Sequence, residues 1–188
     1  MIQKKNKLNL KKSSAKSSVQ IPQISWRILV VDDDEGVHTM TRLILEDIHF
    51  ENRPIEMLSA YSGKDARALL TVEKNISIIL LDVVMETDDA GLQLIHFIRE
   101  ELKDKNSRII LRTGQAGQAP EGIVVEKYDI NDYKAKSELT SQKLSTLIIT
   151  SLRAYKSMLE SDEAILSLSK TREDLEKIIA EANEFPSW

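Results

Sequence analysis

Apolar positions along this chain follow two alternating patterns. Short aliphatic runs such as "ILVV", "ISIILL" and "IIL" are separated by longer stretches in which apolar residues recur every three or four positions. A short continuous run reads as a strand and the three-to-four spacing as an amphipathic helix, so the order is that of βαβ units on a parallel sheet. Five strands are placed at 27–31, 56–60, 76–81, 108–111 and 132–135. Helices are expected at about 35–48, 63–73, 91–102 and 120–128, the last opened by Pro120 where a missing N–H does no harm. The run at 76–81 is apolar on successive residues, as a strand covered on both faces must be, which puts it at the centre of the sheet.

A fifth helix starts near Ser141 and runs more than 40 residues without Gly or Pro, too long for an ordinary globular helix. Leu152, Leu159 and Leu166 repeat by seven, and Leu168, Leu175 and Ala182 repeat by seven in a shifted phase, with Ile178 and Phe185 alongside. This is the pattern of a two-helix coiled coil with a stutter, and the preferred reading is a dimerising signalling helix. The alternative is a helix that packs back on the domain or continues into a further one.

Length and composition refine this organisation. A chain of 188 residues, 41% hydrophobic, holds one packed domain with an appendage. The divisions are a tail at 1–25, a domain at 26–155 and a helical extension at 156–188. The tail carries Lys4, Lys5, Lys7, Lys11, Lys12 and Lys16 among serines and no acid, which is the composition of a disordered segment, and it is assigned no role. A net charge of -4 gives no general reason to expect a nucleic-acid partner. The absence of cysteine removes disulfides, thiolate metal sites and cysteine nucleophiles. No apolar run approaches the length of a membrane helix, and the N-terminus lacks a signal-peptide core, so a soluble, cytoplasmic protein without a membrane partner is expected.

The chemistry gathers at the strand ends. In a right-handed doubly wound sheet the strands point one way, and the residues just past their carboxyl ends collect in one crevice. The first strand runs into "VVDDDEG", the third ends at Asp82, the fourth at Thr113, and the fifth just before Lys136. Carboxylates this close resist joint ionisation unless a cation sits among them. The set suits phosphoryl transfer to a carboxylate, with Asp82 as nucleophile. Mg²⁺ would be held by Asp33 with help from Asp32 or Asp34. Thr113 would donate to a phosphoryl oxygen and Lys136 would neutralise charge there. The plain alternative for the four acids is a helix N-terminus, with Asp34 and Glu35 as cap and first-turn acids.

The segments "ILVVDDDEGVH", "IILLDVVM", "IILRTGQ" and "DYKAK", in this order and at these separations, resemble the receiver domain of two-component response regulators over about 27–155. The resemblance implies a flavodoxin-like doubly wound α/β fold with a five-stranded parallel sheet. It makes Asp82 the phosphoacceptor, Asp32 and Asp33 the acidic pair with Asp33 the direct metal ligand, and Lys136 the active-site lysine. It also makes Thr113 the switch hydroxyl, Tyr133 the switch aromatic, and the Val84 carbonyl a further ligand to Mg²⁺. A sensor histidine kinase or histidine phosphotransfer protein would supply the phosphoryl group, a downstream output domain or protein would read the change, and the chain would not itself be an enzyme with turnover.

Three departures from the family pattern bear on the site. Glu86 stands where proline is usual, "ETDDAG" is one residue longer than usual before Gly91, and Ser137 replaces the proline that usually follows the lysine, which leaves Lys134 as a possible substitute. "METDDAGL", "RTGQAGQAP" and "YDINDYKAKSELT" also resemble receivers that precede HD-GYP cyclic-di-GMP phosphodiesterases, of which no catalytic part is present here.

Other candidates read as structural. Asp88 and Asp89 are solvated loop acids, Gly114 and Gly117 mark a mobile loop with no phosphate-cradling motif, and His38, His49 and His96 share no metal-ligand spacing. Two competing functions remain open. One is a haloacid-dehalogenase-like phosphatase, whose Asp-x-Asp opening "VVDDDEGV" resembles, with Asp32 as nucleophile and Asp34 as acid/base. The other is a receiver-like scaffold that works without phosphorylation.

Overall fold

The computed structural model describes residues 25–114 and 129–184. The tail expected to be disordered, the Gly117 loop, the helix expected at 120–128 and Phe185 lie outside these residues, the tail entirely so but for Ser25.

Every residue of the strand Ile76–Asp82 is buried, as its unbroken apolar pattern requires. In chain order the elements are β1 (Trp26–Val31), α1 (Glu35–Glu46), β2 (His49–Phe50), β3 (Arg53–Ala60), α2 (Gly63–Val72), β4 (Ile76–Asp82), α3 (Ala90–His96), β5 (Arg108–Thr113), β6 (Asp132–Ala135) and α4 (Ser141–Glu184). The sheet order is β2-β3-β1-β4-β5-β6. All neighbours are parallel except β2 and β3. The parallel part is the doubly wound sheet expected, with β4 inside it.

Alternation along the strands divides the core into two layers. Leu29, Val31, Ile79, Leu81, Ile109 and Leu111 meet Ala66, Leu70, Leu94 and Ile98 from α2, α3 and the turn that follows α3. Ile28, Val30, Ile78, Leu80 and Ile110 meet Leu45 of α1 and Leu144, Ile148, Leu152 and Tyr155 of α4 on the other face. Each fully buried aliphatic side chain contributes about 1.5–3 kcal/mol, so the sheet is clamped by both layers.

Three elements differ from the sequence expectation. The sheet has six strands, because β3 starts at Arg53 and β2 pairs with it as a hairpin. Glu51 and Asn52 make the turn at φ 51° and 59°, the conformation that two-residue hairpin turns demand. Pro54 is tolerated because this end of β3 lies at the sheet's margin. The third helix gives way at Phe97–Glu101 to a π-helical turn, which brings Arg99 inward. Finally, α4 is one continuous helix of 44 residues, about 66 Å long at 1.5 Å per residue. Its buried contacts end at Tyr155, with Leu159 partly covered. No helix among the described residues is long and apolar enough to cross a membrane.

Candidate functional site

β1 and β4 are neighbours, with Val31 opposite Leu81, and the chain winds away from them in opposite directions. Their carboxyl ends therefore open into the crevice where doubly wound sheets bind ligands. Asp32 follows β1 and is 0% exposed, Asp82 ends β4 and is 4% exposed, and Asp33 faces solvent. One carboxylate oxygen from each of the three lies within 4.8 Å of the others.

The backbone around this cluster explains its placement. Asp34 is the N-cap of α1, its Oδ1 accepting from Gly36 N–H at 2.8 Å, so the third acid is spent on the helix and not on the cluster. The Asp34 N–H donates to Asp32 Oδ1 at 3.1 Å. His38, buried on α1, lies within hydrogen-bonding distance of the Asp32 carbonyl (2.8 Å) and the Ser59 hydroxyl (3.1 Å), and so fixes the turn from beneath. Gly91 is required for a different reason. A Cβ there would lie 2.2 Å from the Asp82 carbonyl oxygen, and its N–H donates to the Val83 carbonyl at 3.0 Å, so the start of α3 rests directly on the backbone of Asp82.

Lys136, just past β6, reaches the cluster. Its Nζ donates to Asp82 Oδ2 at 2.7 Å and lies 3.0 Å from Asp32 Oδ2. Lys134 instead pairs with Asp132 at 2.8 Å, so Lys136 needs no substitute despite Ser137. Burial pushes the Asp82 carboxyl above the usual carboxylate range, and the Asp32 charge adds to this against the opposing pull of Lys136 and the Val84 N–H. Burial also works against the Lys136 ammonium, but its hydrogen bonds to Asp82 and Asp32 prevail and hold it above the ordinary lysine range. Both directions follow from one geometry: a single ammonium shared by two buried carboxylates is over-compensated, and Asp82 remains under-compensated.

Thr113 ends β5, buried, one residue beyond Arg112, which is paired with Asp82 in the sheet. Tyr133 is half-buried on β6 and packs on the α2–α3 side of the core. The Val84 N–H approaches Asp82 Oδ1 at 3.4 Å. Asp89 accepts from Gln93 and Thr87 side chains, which hold its carboxyl below the usual range, as befits a loop acid. Glu86, the residue in place of proline, accepts from the Gly63 N–H at 2.9 Å. A carboxylate at the start of α2 is favoured by the helix dipole, and it ties the loop after Asp82 to that helix.

Sequence reasoning missed one charged member of the site. Arg112, 3% exposed, puts Nη2 at 3.4 Å from Asp32 Oδ2 and Nη1 at 3.4 Å from the Thr41 hydroxyl. The signal was an arginine inside the buried run "IILRT". The donor set at the mouth is all oxygen, three carboxylates with two cations behind and beside them, which suits a hard divalent ion rather than a soft one.

Residues 28–149 match the response regulator receiver domain, and the chain belongs to that family. The 3'3'-cGAMP-specific phosphodiesterase 2 of Vibrio cholerae is 50% identical over 147 residues, which are 78% of this chain and 28% of that relative. The chain thus spans little more than a quarter of that relative's length. A chemotaxis protein CheY homolog of Campylobacter jejuni is 30% identical over 66% of this chain and 93% of its own. Among solved structures, the signal receiver domain of an HD domain-containing protein from Pseudomonas fluorescens aligns at TM-score 0.61 with 19% identity, over 71% of this chain and 99% of that one. The likeness to that structure is one of fold. The phosphatase alternative is not favoured: residues 28–149 match the receiver domain, and the Asp34 carboxylate it needs as acid/base caps α1.

Proposed function

We propose that this receiver is a phosphoryl-accepting switch. An Asp82 carboxylate oxygen attacks the phosphorus of a phosphohistidine on a sensor histidine kinase or histidine phosphotransfer protein, the N–P bond breaks, and the histidine leaves. Asp33, Asp32, Asp82 and the Val84 carbonyl would hold Mg²⁺, which supplies charge neutralisation for the phosphoryl oxygens. Lys136 meets the phosphoryl group on one side, and the Thr113 hydroxyl donates to it on the other. Thr113 and Tyr133 then rearrange, shifting the chain between two states to the extent that the phosphoryl group favours one.

The observation that carries this reading is the contact of Lys136 Nζ with Asp82 Oδ2 at 2.7 Å beside three carboxylates within 4.8 Å of one another. The chain acts as a cytoplasmic phosphoacceptor whose only turnover is its own phosphorylation and dephosphorylation. Its domain spans 26–155, and 156–188 serves as the helical connection to output, associating with a second copy through the heptads. The output is a phosphodiesterase of the kind named for the Vibrio cholerae relative.

Treatment with acetyl phosphate, followed by intact mass, tests the chemistry. A Mg²⁺-dependent gain of one phosphoryl group is expected in the native chain and not in Asp82→Asn. No gain in the native chain would shift the function to a phosphorylation-independent scaffold. Steady phosphate release abolished by Asp32→Asn would restore the phosphatase.

A further inference from the structure

Arg112 lies in the floor of the acidic cluster, and the chemistry proposed above does not use it. Its strand partner is Asp82, its Nη2 is 3.4 Å from Asp32, and its Nη1 is 3.4 Å from Thr41 of α1. Both contacts are longer than the 2.7–3.2 Å of a good N–H···O bond, and its Nε has no hydrogen-bond partner among the described residues. As a clamp it is badly fitted. As a charge it is well placed, because a guanidinium does not lose its proton in a protein and this one is only 3% exposed. Lys136 differs: its side chain is 29% exposed and can swing toward a ligand.

The charges come close to balancing. Asp32, Asp33 and Asp82 bring three negative charges; Lys136 and Arg112 bring two positive ones. We propose that Arg112 is a positioning residue that acts through Asp32, a fixed counter-charge that part-neutralises the cluster and thereby lowers its affinity for a divalent cation. The inference rests on the reading that these three carboxylates hold such an ion. Asp32 must divide its charge between the guanidinium behind it and the ion in front, so the ion is held more loosely than three carboxylates alone would hold it. The strength of ion binding, and with it the ion concentration at which the switch is competent, is then set by a residue the ion never touches.

Removal of a structural residue would loosen the site and weaken ion binding. Removal of a competing charge strengthens it, and the sign separates the two. The probe is Mn²⁺, with free ion counted by electron paramagnetic resonance in the full chain and no phosphoryl donor present. Arg112→Met is expected to bind Mn²⁺ about fivefold more tightly than the native chain, since a positive charge beside a divalent ion opposes it even when well screened. Arg112→Lys, which keeps the charge, is expected to stay within about twofold of native. If Arg112→Met does not fold, Arg112→Gln carries the same expectation. Unchanged or weaker binding in the neutral variants, with Asp33→Asn abolishing binding in the native background, would overturn the role of Arg112 alone. Absence of Mn²⁺ binding in the native chain would instead overturn the metal-site reading on which it rests.

Discussion

Two guanidinium groups are buried at opposite ends of the same sheet, and they are treated differently. Arg99, turned inward by the π-helical turn, donates from Nε and Nη2 to the Asp129 carbonyl at 3.1 Å each, from Nη1 to the Asp104 carbonyl at 2.7 Å, and from Nη2 to the Ser107 carbonyl at 3.0 Å. The Asp129 carboxylate adds its charge at 3.3 Å. Arg112, at the carboxyl end of β5, makes two long contacts and leaves Nε without a hydrogen bond. A fully satisfied buried network rigidifies what it joins, whereas an unpaired buried polar group is a cost to the fold. The guanidinium at the amino end of the sheet is fully engaged, and the one at the carboxyl end is not.

The contrast is sharpest in stability. Arg99→Met would strand the buried Ser107 carbonyl and remove the donors of the part-buried Asp104 and Asp129 carbonyls, and a buried unsatisfied group costs about 1–3 kcal/mol, so a loss of about 2–3 kcal/mol is expected in urea unfolding. Arg112→Met is expected to cost less than Arg99→Met, because Asp32 keeps Lys136 at 3.0 Å and so is not left as the lone buried charge that a broken pair would strand. Equal losses in the two variants would break the comparison. Leu152→Ala, at a fully buried position of α4, sets the scale at about 3 kcal/mol.

Gly91→Ala comes next. The added methyl would collide with the carbonyl of Asp82 at 2.2 Å and with Val83 Cα at 2.8 Å, neither of which can rotate away. A loss of about 2 kcal/mol is expected, together with slower labelling by acetyl phosphate, because the displaced atoms belong to the proposed acceptor. A variant that lost stability and kept the native labelling rate would show that the backbone of Asp82 tolerates movement.

A smaller effect separates the carboxyl end by its response to pH. Burial raises the folded pKa of Asp82 above its unfolded value, so the folded chain binds the proton more readily. The stability this provides is present at low pH, where Asp82 is protonated, and is lost as pH rises through the folded pKa. Asp82→Asn stays neutral throughout. With chelator present, its urea midpoint is expected to exceed the native one at pH 7, and the gap to close as pH falls into the ordinary carboxylate range. Adding Mg²⁺ is expected to raise the native midpoint more than that of the variant, which keeps two of the three carboxylates.

These differences also explain what the sequence disclosed. β4 was legible because seven buried residues in a row leave no other reading, and the acids were legible because parallel strands bring their carboxyl ends together whatever the loops do. The hairpin of β2 and β3 was not, since Glu51-Asn52 lacks the glycine that announces such a turn and Pro54 mimics a break. The π-helical turn leaves no mark in a three-to-four spacing, so Arg99 was placed on a regular helix. Arg112 was hidden for a related reason: its neighbours along "IILRT" announce burial, and a charge within a buried run is explained only by partners from Asp32 and Thr41, distant in sequence. Glu86 looked like a defect in the motif until its contact with Gly63 gave it a position.

The smallest effect lies on α4, where one helix carries leucine in two settings. Leu152 is 0% exposed against the sheet and Leu168 is 70% exposed beyond the last contact with the domain. Leu and Ala have similar helix propensities, so Leu168→Ala changes little except what the side chain touches. In dilute solution it is expected to fall within about 0.5 kcal/mol of native. A helix segment with apolar side chains on an uncovered face gains most of its stability from packing against something else, and Leu168 shares its heptad phase with Leu175. If that stripe is where two copies meet, the cost of Leu168→Ala must grow with protein concentration while that of Leu152→Ala stays constant, because association adds stability in proportion to the logarithm of concentration. A Leu168→Ala cost that stays near zero across the range, with light scattering reporting a monomer throughout, would assign the far half of α4 to connection alone and leave the packed half as the part that stabilises the receiver.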